Sequence, residues 1–128
     1  GYMTGVEVGT DVSTVKGSLE SVAGLNNIIV FDSSGNIINS GIVKTGMKIQ
    51  INNAYGSETL QIAIKGDTSG DGVINVLDLL QVQKNILGVY NFSGVHKLAA
   101  DTSGDGIINV LDLLQIQKNI LGVSSIQQ

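Results

Sequence analysis

Six of the chain's eleven acidic side chains fall into two short runs whose spacing suits a hard divalent cation. The first run sets Asp67, Ser69 and Asp71 at alternate positions, then Gly72, Val73, Asn75 and, twelfth, Asp78. The second sets out Asp101, Ser103, Asp105, Gly106, Ile107, Asn109 and Asp112 in the same order. Calcium takes about six to eight oxygen ligands, and twelve-residue calcium loops offer them from positions 1, 3, 5, 7, 9 and 12. The seventh position gives a main-chain carbonyl, so Val73 and Ile107 can be apolar without harm. Gly72 and Gly106 stand where such a loop turns sharply through positive φ, which glycine tolerates best. The twelfth residue is Asp where Glu is usual; being one methylene shorter, it must lie closer to the ion to bind through both oxygens.

These loops belong to a duplication. The segment 67–88 reads DTSGDGVINVLDLLQVQKNILG, and 101–122 reads DTSGDGIINVLDLLQIQKNILG, 34 residues further on. Only Val73 against Ile107 and Val82 against Ile116 differ, each exchange keeping a β-branched apolar side chain. A single Asp/Gly turn with solvated carboxylates could imitate one loop; two full copies, each leading into an amphipathic segment, make an internal repeat the sensible reading. Two Ca²⁺ ions would bring the formal charge from −4 to zero. Without metal, three carboxylates crowd each loop, and their repulsion should loosen the fold.

The elements that must position these ligands follow directly. Asn75 and Asn109 suit helix N-caps, and Gly88 and Gly122 suit the C′ position, which predicts helices over 76–87 and 110–121. At roughly 100° per residue, Leu79, Val82 and Ile86 make one apolar stripe. Val76, Leu80 and Leu87 make a second, with Leu77 and Lys84 at its edge. One stripe serves a small core. The second is either buried as well or left exposed as a binding surface, with Gln83 and Lys84 at its rim.

Two such loops with Asp in the twelfth position, each followed by a helix ending in ILG and joined by a short linker, resemble a type I-like dockerin over about residues 66–125. The resemblance implies a non-catalytic plug by which secreted bacterial proteins, glycoside hydrolases among them, attach to cohesin modules of scaffoldins. It implies two Ca²⁺ ions held by Asp67, Ser69, Asp71, Val73, Asn75 and Asp78 and by Asp101, Ser103, Asp105, Ile107, Asn109 and Asp112. It also implies a first repeat without the leading helix of a full EF-hand, and strand-like sequence does run straight into Asp67. The family's recognition positions fall here on Val76, Leu77, Gln83, Lys84 and Gly88, and on Val110, Leu111, Gln117, Lys118 and Gly122. The second stripe adds Leu80, Leu87, Leu114 and Leu121 to the expected partner face. Where a familiar dockerin has Ser-Thr, Val76-Leu77 and Val110-Leu111 are apolar, which points to a more hydrophobic contact. Because the repeats are nearly identical, a half-turn would present almost the same surface, and two alternative cohesin-binding orientations are expected.

Composition removes several other functions. Seven lysines, no arginine and no basic cluster argue against nucleic acid or an anionic membrane as partner. No cysteine is present for a disulfide, a thiolate metal site or a nucleophile. No apolar run reaches membrane-spanning length, and from Gly1 no charged-then-apolar leader is seen, as expected of a mature protein or an excised fragment alike. The linker 89–100 carries Tyr90, Phe92 and the chain's single histidine, His96, with Ser93 placed to cap a short helix through Ala100. A lone histidine without a second or a cysteine is expected to be structural or merely exposed rather than catalytic.

Residues 1–65 lack the repeat. Thr10 or Asp11 can cap a helix with Val12, Val15, Leu19 and Val22 on one face and Gly24 at its end. Strands are predicted at 3–8, 27–31, 36–43, 47–52 and 59–65, with turns at 32–35 and 52–56. The expected fold is therefore α+β: a small β-rich domain with one helix over 1–65, then an all-α dockerin over 66–128. No Pro/Ser/Gly-rich tether divides them, which favours two packed units. Small β-rich neighbours of dockerins are often called X modules, and by position the first half resembles one. A carbohydrate-binding module or part of an Ig-like region is the alternative, and the lack of tryptophan and scarcity of tyrosine argue against an aromatic sugar platform.

The reading is of a secreted or surface-associated, calcium-dependent docking module, monomeric when unbound. A calcium-stabilised structural or sensor module without a cohesin is the alternative. Sensors rely on Met-rich grooves, and Met3 and Met47 both lie outside the repeats. Glu7, Glu20 and Glu58 carry no hydrolase motif, so no enzyme is expected.

Overall fold

Alternation of apolar and polar side chains puts one face of a pleated strand against a core, and the stretch from Asn27 to Ile62 uses that period repeatedly. The structure is a computed structural model that describes residues 1–23, 27–53 and 56–128. Its first part is a five-stranded sheet of β1 (Tyr2–Met3), β2 (Asn27–Phe31), β3 (Ile37–Ile38), β4 (Lys48–Asn53) and β5 (Gly56–Ile62), ordered β1-β5-β4-β2-β3. β1 runs parallel to β5, and the other pairs are antiparallel. The register sets Val30 opposite Ile49 and Ile28 opposite Ile51, so one face is a continuous apolar surface.

Helix α1 (Val12–Ala23) packs on that face, burying Val12 and Val15 with half-buried Leu19 against Ile28, Val30, Ile49 and Ile62. Of the two candidate caps, Asp11 does the work. Its Oδ1 accepts the Ser13 amide at 2.9 Å and the Ser13 hydroxyl at 2.7 Å. The Ser13 hydroxyl, then its amide, hold the Asp11 carboxyl below its ordinary range. Thr10 donates its hydroxyl to the Glu7 carbonyl instead, at 2.7 Å. The expected helix stop at Gly24, and Ala54 and Tyr55 of the expected 52–56 turn, lie outside the described residues.

Three strand expectations are corrected. The strand expected over 3–8 is only Tyr2–Met3, because the chain turns through positive φ at Gly5. The strand expected over 36–43 is pairing at Ile37–Ile38 and one isolated bridge between Ile42 and Asp11, with Gly41 at positive φ between them. The last strand spans Gly56–Ile62, not 59–65. Past Ile62 the backbone leaves the ladder: Ile64 donates its amide to the Thr45 hydroxyl at 3.0 Å.

After β5 the described elements are helices α2 (Val76–Ile86), α3 (Gly94–Ala100) and α4 (Val110–Ile120). α2 and α4 pack together around a second core of Val82, Ile116, Phe92, Ala100 and Ile126. Tyr90 meets Phe92 edge-on, ring centroids 4.9 Å apart, a favoured aromatic geometry. Ser93 occupies the N-cap of α3 in extended conformation, but its side chain makes no capping bond, contrary to expectation. Ile86, expected in the buried stripe, is 41% exposed; the inward face of α2 is instead Asp78, Leu79 and Val82. The loop carboxylate Asp78 takes up helix face that an apolar residue would otherwise fill.

One contact at the end of the chain was not foreseen. Gln128 accepts the Lys65 amide at 2.8 Å and donates to the Lys65 carbonyl at 3.0 Å. Beside it, Ile126 is buried against Gly66, where a Cβ would lie 2.7 Å from Ile126 Cδ1. Only a glycine, here at φ +98°, admits that side chain so close to the backbone. The tail thus fastens onto the segment leading into the first acidic loop.

Candidate metal centres and exposed helix face

Both acidic runs fold back on themselves. In each loop the three carboxylates converge: Asp67, Asp71 and Asp78 present oxygens all within 4.8 Å of one another, and so do Asp101, Asp105 and Asp112. The turn that achieves this passes through Gly72 at φ +84° and Gly106 at φ +85°.

Main-chain amides then fix each carboxylate. Asp67 Oδ1 accepts the amides of Gly70 and Asp71, each at 3.1 Å, and Oδ2 accepts that of Gly72 at 3.1 Å. Asp101 takes the amides of Gly104 at 3.1 Å and Gly106 at 2.8 Å. Asp78 accepts the Ser69 amide at 2.9 Å through Oδ1 and the Asn75 amide at 2.9 Å through Oδ2. Asp112 does the same for Ser103, at 3.0 Å, and Asn109, at 2.9 Å. Asn75 and Asn109 in turn accept the amides of Leu77 and Leu111, each at 3.0 Å. These are capping boxes, so the twelfth loop residue is also the third residue of the helix, and one carboxylate ties loop to helix.

Crowding shows in the proton affinities. Burial pushes the Asp67 carboxyl up to about 6, against the opposing pull of the Thr45 and Gly72 amides; the nearby Asp78 charge and a proton shared with Asp71 add to the rise. Asp71 is held below its ordinary range: burial works against this, but the Val73 amide and the side chains of Asp67, Ser69 and Asn75 outweigh it. Asp105 is lowered chiefly by the Ile107 amide.

The donor set fits a calcium ion. It consists of oxygens alone, carboxylates in front, as a hard cation requires. Beyond its approach to Asp71, the buried hydroxyl oxygen of Ser69 has no hydrogen-bond partner among the described residues, and a buried polar atom of that kind calls for a ligand. Ser69 and Asn75 both lie against Asp71, placing the third and ninth loop positions at the same cluster. Val73 and Ile107 turn their side chains outward, 45% and 61% exposed, as suits residues that would contribute only a carbonyl. Bound there, calcium would supply positive charge at the meeting point of three carboxylates and so hold loop and helix in one arrangement.

The second apolar stripe is solvent-facing in both repeats. Val76 and Val110 are 70% and 65% exposed, and Leu87 and Leu121 are 70% and 68% exposed. Leu77, Leu80, Leu111 and Leu114 are also exposed, as are Gln83, Lys84, Gly88, Gln117, Lys118 and Gly122. Every residue expected on the partner face is therefore accessible, and equivalent residues of the two repeats are exposed to nearly the same degree.

His96 is structural. Its Nδ1 lies 2.8 Å from the Thr68 carbonyl; a carbonyl can only accept, so Nδ1 carries the proton. This ties α3 to the first loop. No helix among the described residues is long and apolar enough to cross a membrane.

Residues 65–121 match the family model described as Dockerin type I domain. No curated protein matches the chain.

Proposed function

Residues 65–121 form a type I dockerin module, and from that premise we propose that the chain anchors a secreted bacterial protein to a cohesin through the paired exposed stripes of α2 and α4. Dockerins are non-catalytic modules that bind calcium and dock onto cohesins in a calcium-dependent manner, in secreted or cell-surface cellulosome proteins. In the proposed reading an all-helical dockerin spans 66–128, and two Ca²⁺ ions occupy loops 67–78 and 101–112. The partner contacts Val76, Leu77, Leu80, Gln83, Lys84, Leu87 and Gly88 or their counterparts Val110, Leu111, Leu114, Gln117, Lys118, Leu121 and Gly122.

The observation that carries this reading is the near-equal exposure of two chemically equivalent apolar stripes. Contiguous exposed apolar side chains bordered by polar ones mark an interaction surface. Because each loop's twelfth residue lies in the first turn of its helix, the ion sets the direction of the stripe without touching the partner. Equal exposure of the two stripes supports two binding orientations of similar affinity. A sensor that opens a groove is less well supported, since Met47 is buried in the first core and Met3 packs on it.

The first 65 residues have their own core, distinct from that of the helices. We read them as an X-module-like companion that stabilises the dockerin. The unbound protein is expected to be a monomer.

The deciding experiment is calorimetry against a panel of cohesins, with calcium and with a chelator. Tight binding to a cohesin that disappears on chelation is expected. Binding that survives complete metal removal, or calcium uptake with no cohesin bound, would defeat the reading.

A further inference from the structure

The loops have matching ligands, yet they do not have matching surroundings. Among the described residues every donor to Asp101 lies within its own loop: the Gly104 and Gly106 amides and the Ser103 hydroxyl. Asp67 has one that does not. The amide of Thr45, 22 residues upstream, donates to Asp67 Oδ2 at 3.0 Å inside a buried contact. Thr45 is itself held there, its hydroxyl accepting the Ile64 amide at 3.0 Å and donating to the Ile64 carbonyl at 3.3 Å.

The same segment covers the loop. A Cβ on Gly72 would lie 2.7 Å from Ile42 Cδ1 and 3.0 Å from Lys44 Cγ, and one on Gly70 would lie 2.8 Å from the Thr45 carbonyl oxygen. At Gly106, the equivalent of Gly72, nothing lies within 4 Å. Residues 69–72 are accordingly buried or half-buried, whereas 103–106 are all exposed.

Resting on the calcium-loop reading above, we propose that Thr45 is a positioning residue for the first calcium site alone, and that the segment 42–45 makes this site the slower to exchange. An amide fixed from outside the loop holds the Asp67 carboxylate in one rotation, as a group behind a metal ligand does. The covering side chains also restrict the water that must replace each departing ligand. Loop 101–112 has neither device and should equilibrate with free calcium quickly. The N-terminal layer therefore breaks the symmetry of the repeat at the metals while leaving the two exposed stripes alike.

The test is calcium release from the whole loaded chain on rapid mixing with excess fluorescent chelator. Two phases are expected, the slow one lost in Asp71→Asn and the fast one lost in Asp105→Asn. Thr45→Pro removes the amide and should speed the slow phase by about 10- to 100-fold, the usual loss when a group supporting a metal ligand is removed. The fast phase should not move. Thr45→Val keeps the amide and loses only the hydroxyl bonds to Ile64; its slow phase should stay near the parent rate. If Thr45→Pro does not fold, Gly72→Ala and Gly106→Ala decide. Both carry the same positive-φ strain, but only Gly72→Ala pushes into Ile42 and Lys44, so it should speed its own phase by the larger factor. Both ions leaving at one rate, equal effects of Thr45→Val and Thr45→Pro, or equal effects of the two glycine variants would overturn the proposal while leaving calcium binding intact. A chain that takes up no calcium overturns the loop reading and this proposal together.

Discussion

Asp78 Oδ2 accepts the amide of Asn75 at 2.9 Å, while its Oδ1 reaches back to the amide of Ser69 at 2.9 Å. A single carboxylate thus joins the third loop position to the ninth and to the first turn of α2, and Asp112 repeats the arrangement for α4. Loop and helix form one mechanical unit in each repeat, so an ion bound at the carboxylates would be felt at the start of the helix, at Val76 and Leu77 in the first.

Calcium removal should therefore be a stability event. A ligand that binds only the folded state at about 100 times its Kd adds about 2.7 kcal/mol per site. Thermal unfolding followed by circular dichroism should show Tm rising steeply with calcium and falling on chelation. A Tm indifferent to calcium would contradict the assignment of both loops.

The two stripes should substitute for each other. Replacing Val76 and Leu77 with alanine should weaken cohesin binding only about twofold, the statistical loss of one of two equivalent orientations. Replacing Val110 and Leu111 as well should weaken it by more than about a hundredfold, as loss of central apolar anchors does. A large loss from the first pair alone, measured by calorimetry, would falsify the symmetric mode.

Calcium affinity should depend on pH through the first loop. Burial raises the Asp67 carboxyl to about 6 in the metal-free protein, above an ordinary carboxylate near ~3.9. Calcium needs the carboxylate free of its proton. Apparent affinity of that site should therefore fall by about tenfold between pH 7 and pH 5. The metal-free fold behaves in the opposite sense: the stabilisation from a protonated Asp67 is complete below the ordinary carboxylate pKa and is lost as pH rises through about 6. Calcium titrations and chelator-treated melts at the two pH values check both arms.

Adjacent apolar positions of α2 should differ sharply. Val82 is fully buried at the heart of the second core, whereas Ile86 is 41% exposed. Val82→Ala should cost about 2 kcal/mol through lost burial and an unfilled cavity, and Ile86→Ala well under half of that. Equal losses in denaturant unfolding would mean that the inward face has been drawn wrongly.

The tail contact should matter although it lies at residues 126–128. Ile126→Ala removes a buried side chain from Gly66 and Ile74 and should cost about 2 kcal/mol, the low end for buried aliphatic truncation because a tail can relax into the gap. Hydrogen exchange should show the extra opening first at Lys65–Gly66, where Gln128 is bonded.

The sequence by itself determined the two acidic loops, the caps at Asn75 and Asn109 and the helices that follow them, because those rest on interactions between residues close in the chain. Asp67 to Asp78 and Asn75 to Asp78 are contacts whose geometry a twelve-residue spacing dictates, and duplication doubled the signal. The helix bounds 76–87 and 110–121 were legible to within one residue of Val76–Ile86 and Val110–Ile120 for the same reason. Strand limits were less legible: Gly5 and Gly41 ended pairing inside runs whose alternation continued. Only the tertiary structure decided that the second stripe faces solvent, that Ile86 is outside the core, and that Gln128 closes on Lys65 63 residues away. It also separated two loops that the sequence makes twins. Among the described residues Thr45 reaches Asp67 and has no counterpart at Asp101, because a non-repeated layer folds against the first loop; long-range packing of that kind leaves no periodic trace in the chain.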